Sequence, residues 1–194
     1  MTDHSGSPDY DLPEALDLTE PQQYRALFEP TRTDIVTLLL ERAATTSDLA
    51  EALGKPKGTI GHHLKVLADA GLVRVVRTEK VRALEAKYYG RTARTFYYQR
   101  LGEAVGNEHR ILTRAAAEVA AVPDHGTDQV FGAGLRYARI PAERAAEWHR
   151  RLADLLVEFA AEPRGGETTY GAVFALYPTD RPAMGTTSHE PGDA

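Results

Sequence analysis

Apolar and polar positions alternate with two different periods along this chain, and the changes of period divide it into segments. From Pro21 a short helical pattern (Gln22 to Phe28) stops at Pro30. A second helix opens there, since proline suits a first helical turn, and it carries Ile35, Leu38 and Leu39 on one side. Thr45-Thr46-Ser47-Asp48 is a run of cap formers before Leu49, Ala50 and Leu53, which predicts a short helix ending at Gly54. Lys55-Pro56-Lys57-Gly58 turns into a further helix whose Ile60, Leu64 and Leu67 form one apolar stripe, closed by Gly71. The period then becomes that of strands: Leu72 to Arg77, a tip at Glu79 to Arg82, and a return from Ala83 to Tyr89.

Beyond this hairpin the pattern predicts a long helix from Ala93 to Ala121, carrying Phe96, Leu101, Val105, Ile111, Leu112, Ala115 and Val119, broken at Val122-Pro123. A strand-like run from Gln129 to Ile140 follows. Next come a helix opened by Pro141, with the stripe Ala145, Trp148, Leu152, Leu155, Leu156 and Phe159, and a second strand-like run from Thr168 to Tyr177. Trp148 reads most simply as a core residue. The expected divisions are a polar tail over 1–20, a helix-turn-helix with its wing over 21–92, a linking helix over 93–122, a strand-helix-strand unit over 127–178 and a second tail over 179–194. The fold class is α+β, a winged helix-turn-helix joined to that C-terminal unit. Two strands and one helix make a poor core alone, so the unit is expected to pack on the long helix or pair with a second copy.

Charge changes the picture. The net charge of −5 argues against a nucleic-acid partner, but residues 25–100 hold 14 Lys/Arg against 8 Asp/Glu, a balance of +6, and the remainder carries −11. Between Lys55 and Arg82 there are 7 basic and 2 acidic residues. A basic middle between acidic flanks is the footprint of a polyanion-binding module. With no cysteine, thiolate metal sites, disulfides and thiol-based sensing are excluded, and the cytoplasm is the expected compartment. The polar, acidic opening stretch reads as neither a signal peptide nor a transit peptide, and no apolar run is long enough to span a membrane.

In a helix-turn-helix the second helix enters the major groove and the wing adds backbone contacts. With Ile60, Leu64 and Leu67 inward, Gly58, His62 and Lys65 point outward and Thr59 and Gly61 lie on the flanks. The candidate DNA-contacting residues are Thr46, Ser47, Lys55, Lys57, Thr59, His62, His63, Lys65, Arg77, Lys80 and Arg82, with His62 the leading candidate for base contact. His63, on the flank of the stripe, reads rather as a packing residue, and Arg32 as one that bonds across the fold. Adjacent histidines on a helix diverge by about 100° and do not chelate one ion. Gly132-Ala133-Gly134 opens no helix and lacks a following Gly-Lys-Ser/Thr, so it is not a phosphate loop. Glu143, Glu147, Asp154 and Glu158, interleaved with arginines, describe a solvated helix face. No nucleophile–base pair or cofactor motif is visible, and no enzyme is expected.

The runs Thr45-Thr46-Ser47-Asp48-Leu49-Ala50-Glu51-Ala52-Leu53-Gly54, Gly58-Thr59-Ile60-Gly61-His62-His63-Leu64-Lys65-Val66-Leu67 and Ala70-Gly71-Leu72-Val73 resemble the ArsR-type (arsenical-repressor-like) winged-helix family, over about residues 22–92. Glu29-Pro30-Thr31-Arg32 is similar to that family's helix opening. The resemblance implies a homodimeric transcriptional regulator, usually a repressor, that binds a double-stranded operator and leaves it when an effector binds. Gly61 stands where the family commonly has serine. The family's cysteine motif is missing, and His109 beside Glu103 and Glu108 does not supply its zinc-sensor ligand pairs, so metal sensing does not carry over. Two alternatives stay open: a winged helix reused to dock another protein, and a regulator whose C-terminal unit binds a small apolar ligand among the aromatic residues of 131–177.

Overall fold

The computed structural model describes residues 8–81, 84–98, 106–123, 130–162 and 165–182. The chain runs β1 (Ala15–Leu18), α1 (Pro21–Leu27), α2 (Pro30–Leu38), α3 (Thr46–Leu53), α4 (Lys57–Asp69), β2 (Val73–Val81), β3 (Leu84–Arg91), β4 (Thr95–Tyr98), α5 (Asn107–Ala121) and α6 (Ala142–Ala161). This is a winged helix-turn-helix. Helices α1 to α4 enclose one core in which Ile35, Leu39, Leu49, Ile60, Leu64, Leu67 and Leu72 are fully buried.

Local chemistry sets the helix ends. Thr45 and Asp48 form a reciprocal capping box at α3: the Asp48 N–H donates to Thr45 Oγ1 at 3.2 Å and the Thr45 N–H to the Asp48 carboxylate at 2.8 Å. Gly54 and Gly71 close α3 and α4 at φ 60° and 71°, left-handed positions that cost glycine little. Beyond each, an N–H returns to the helix, Lys55 to the Ala50 carbonyl and Leu72 to that of Leu67. The wing is the antiparallel pair β2–β3, with a bulge where Val76 is passed over between Val75 and Arg77. Ala44 bridges to Tyr89 on the far side of β3.

Three sequence expectations are corrected. Residues 1–20 are not a tail throughout: β1 pairs in parallel with β4 in the register Ala15↔Thr95 to Leu18↔Tyr98. Just before it, Tyr10 Oη donates to the Leu39 carbonyl at 2.5 Å and accepts from the Arg91 N–H at 3.0 Å. The helix expected from Ala93 begins at Asn107 instead, after Gly106 at φ 86°; Phe96 fits a strand as well as a helix, and β1 offers it a partner. Finally, the described parts of the runs 129–140 and 168–177 are not strands. They lie by α6 and each other, with His149 edge-on to Phe174 and Tyr137 against Tyr177 and Arg181. A strand, however, exists only through a ladder of backbone bonds, and among the described residues these runs have none.

The α6 stripe is present but covered only in part, with Ala145, Leu152 and Leu156 half-buried. No residue of α6 is buried, and Trp148, expected in the core, is 41% exposed with Arg151 stacked on its ring at 4.5 Å. Among the described residues, all exposed large apolar side chains except Val75 and Tyr97 lie beyond Gly106. The residues at 1–7 and 183–194, with most of the second expected tail, lie outside the described set. No described helix is long and apolar enough to cross a membrane.

Candidate nucleic-acid interface

Helix α4 is built to present one face. Ile60, Leu64 and Leu67 anchor it on α1, α2 and α3, which leaves Gly58, Thr59, His62 and Lys65 exposed along the opposite side. Its first turn starts at Pro56 without a side-chain cap. The opening N–H groups of α4 are therefore free of a capping side chain, and they add partial positive charge to that end of the helix. Lys55 and Lys57 stand exposed beside them, with no ion pair among the described residues. Ser47 is exposed and Thr46 half-buried at the start of α3, with Thr46 Cγ2 at 3.9 Å from where a Cβ on Gly61 would sit. The two helices thus meet closely at that glycine.

The candidates do not all stand alike. Lys65 Nζ bonds the Asp69 carboxylate one turn on, at 2.8 Å. An exposed pair of this kind is worth about 0.3–0.5 kcal/mol, so a phosphate competes with it readily. His63 turns away from the exposed face. Only 14% of its side chain is exposed, and Nδ1 lies 3.4 Å from Arg32 and 3.6 Å from Glu29. Burial pushes its pKa below 6.5; the Glu29 carboxylate opposes this, while Arg32, His62 and Lys55 reinforce it. His63 thus joins α4 to the start of α2. Arg32 also bonds across the fold, donating to the carbonyls of Ala26 at 2.5 Å and Arg25 at 2.7 Å and closing the end of α1.

The wing carries a feature that sequence reasoning missed. Arg77 stacks on Tyr88 at 4.3 Å and donates to Glu79 at 2.9 Å and to Asp9 at 2.6 Å. Burial raises the Asp9 carboxyl, but the Ala43 N–H at 2.6 Å and the Arg77 guanidinium outweigh it and hold the pKa below the usual 3.8. Arg74 donates to the Asp11 carbonyl at 2.8 Å. An acidic strap from the N-terminus therefore lies on the basic wing. The acidic residues of 9–17 and the arginines of 74–77 were the only signal in the sequence. Lys80 is exposed opposite Glu85 in the hairpin; Arg82, the remaining wing candidate, lies outside the described residues.

The surface has a helix with an exposed polar face, uncapped N–H groups and lysines at its start, and a basic hairpin beside it. In chemical terms it offers hydrogen-bonding groups between two sets of positive charges. Several solved structures are similar to the chain. HlyU from Vibrio cholerae is 20% identical, over 50% of this chain and 89% of that one, at a TM-score of 0.32. The cadmium metal-sensor CMTR from Mycobacterium tuberculosis is 26% identical over 59% and 98%, at 0.30. The transcriptional repressor BigR from Xylella fastidiosa is 21% identical over 50% and 83%, at 0.30. No curated protein matches the chain. The family model described as "Bacterial regulatory protein, arsR family" matches residues 29–75, from the cap of α2 into β2. Over those residues the helix-turn-helix of this chain is similar to that family.

Proposed function

We propose that this protein is a cytoplasmic transcriptional regulator that binds a double-stranded operator as a symmetric dimer and represses by occupying it. The observation that carries this reading is the exposed face of α4, where Thr59, His62 and Lys65 lie in line beyond an uncapped start flanked by Lys55 and Lys57. Inserted in a major groove, that face brings His62 to the base edges, and the lysines and helix start to the phosphates. Thr46 and Ser47 brace or touch the backbone from α3, while Arg77, Lys80 and Arg82 belong to the wing.

Dimerisation is supported by two observations. One recognition helix reads only a few base pairs, so an operator with two-fold symmetry takes two. The exposed Ile111, Leu112 and Val119 on α5, and Leu155 and Phe159 on α6, are apolar surface that a second copy would cover. Repression needs no surface beyond the one that binds.

The test is selection of bound duplexes from fragmented genomic DNA of the source organism, followed by salt titration on the best of them. Lys55→Ala and Lys57→Ala are expected to weaken binding to every duplex, each lowering the salt slope by roughly 0.9. His62→Ala is expected to alter sequence preference instead, costing about 1–3 kcal/mol at the base it reads. Absence of salt-sensitive duplex binding would overturn the proposal. A monomer in sedimentation at micromolar concentration, with and without operator, would overturn the dimer.

A further inference from the structure

A cavity of about 1250 Å³ lies between α1 and α2 on one side and β4, α5 and α6 on the other. It is larger than the roughly 300–1,000 Å³ of a typical small-molecule pocket. Its walls are apolar, with Leu27, Phe28, Val36, Phe96 and Leu156 among them. Its charges are one-sided: five arginines line it against one carboxylate, Glu29. Glu29 is itself engaged by the Arg32 N–H at 3.0 Å and by His63.

Arg91 is the informative member. It is 6% exposed, and its guanidinium donates to three carbonyls, those of Ala93 at 2.9 Å, Val36 at 3.1 Å and Arg94 at 2.7 Å. Phe96 covers one face of it at 4.4 Å. Among the described residues no carboxylate pairs with it, whereas Arg94 has Glu14 at 3.6 Å and Arg114 has Asp34 at 2.7 Å. Burial pulls its pKa down to about 10, which still leaves it charged at neutral pH. A buried cation that meets carbonyl dipoles and one aromatic face but no carboxylate keeps much of its desolvation cost. An anion reaching it inside an apolar cavity would relieve that cost through charge-assisted bonds.

We propose that this cavity binds a small organic acid, its carboxylate set on Arg91 and its apolar body against Phe28, Phe96 and Leu156. The aromatic residues of 131–177, expected from the sequence as a ligand lining, do not form this cavity; from the C-terminal unit it takes Leu156, Val157 and Ala160 of α6. The proposal is independent of duplex reading, because binding is measured without DNA and the duplex assay on the same variants reports that reading separately.

The test is calorimetric titration of the full chain with three probes of equal length: octanoate, octan-1-ol and octylammonium. Octanoate is expected to bind saturably, once per chain, and to raise the melting temperature. The alcohol and the ammonium are expected to bind at least about tenfold more weakly, the loss of one hydrogen bond to a charged group. Arg91→Met should bring octanoate down to the level of octanol. Because Arg91 also holds three carbonyls, that variant is paired with Ala117→Trp, which narrows the cavity from the exposed helix α5. Ala117→Trp should weaken octanoate binding and keep the wild-type circular dichroism spectrum. Equal binding of the three probes, no saturable octanoate binding, or undiminished binding by Ala117→Trp would each overturn the proposal.

Discussion

Gly61 sits in the middle of α4, and replacing it with alanine tests how that helix is held against α3. A glycine inside a helix is less favourable than alanine by about 0.8–1.0 kcal/mol, because its unfolded backbone has more freedom to lose. Whether the protein recovers that energy depends on what the new methyl meets. Gly61 has no positive φ, and the nearest atom to its added Cβ is Thr46 Cγ2 at 3.9 Å, ordinary van der Waals contact. The site is half-buried, so the methyl also leaves some water. Gly61→Ala is therefore expected to stabilise the protein by about 1 kcal/mol. In a domain of this size that raises the melting temperature by roughly 4–8 °C. Thermal and urea unfolding followed by far-UV circular dichroism would measure it. Gly58→Ala, one turn earlier with nothing within 4 Å of its Cβ, serves as the control for propensity alone. If Gly58→Ala stabilises while Gly61→Ala destabilises, the α3–α4 contact is tighter than described and the reasoning fails. Duplex affinity of Gly61→Ala is expected to stay within about threefold, because its side faces Thr46 and not the exposed line.

Three further outcomes are expected. Asp9→Asn should free Arg77 for phosphate, steepening the salt slope of duplex binding by roughly 0.9, while costing at most about 1 kcal/mol of stability for a part-exposed pair; an unchanged salt slope would remove Arg77 from the interface. Thr45→Ala removes half of the α3 capping box and should lower stability by about 1 kcal/mol, read as a lower urea midpoint at unchanged slope; no change would mean the box is not formed in solution. The His63 pKa is lowered in the fold, so the unfolded chain binds the extra proton first. Its contribution is complete above 6.5 and is lost as pH falls through that value towards the lower folded one. The pH dependence of stability in this window should flatten in His63→Gln, and an identical profile would contradict the assignment.

What the sequence made legible was local. The capping box at Thr45, the left-handed turns at Gly54 and Gly71 and the stripe Ile60–Leu64–Leu67 all act within a few residues, so pattern and structure agree there. The exposed line of Gly58, Thr59, His62 and Lys65 follows from that stripe by helix geometry alone. What escaped was the pairing of distant segments. Nothing near Ala15–Leu18 announces a strand, because its partner is Thr95–Tyr98. The neutralisation of Arg77 depends on Asp9, 68 residues away. The bond from Lys65 to Asp69, by contrast, follows the i,i+4 rule and was readable from spacing.

The contact of Tyr10 with Gly90 and Arg91 also bears on how the protein is made. An added Cβ at Gly90 would lie 2.7 Å from the Tyr10 ring and 2.8 Å from Val76 Cγ1, so the strap and the wing bulge seat on each other only across a bare backbone. Tyr10 and Arg91 are 81 residues apart, and β1 waits equally long for β4. During synthesis the segment of Tyr10 and β1 thus leaves the ribosome long before the residues it packs on. The four helices can collapse as soon as they emerge, but the wing gains its brace only when the chain has been extended past Arg91, and β1 its partner only past Tyr98. A nascent or proteolysed fragment ending before β4 would keep α4 and leave β1 without its strand partner.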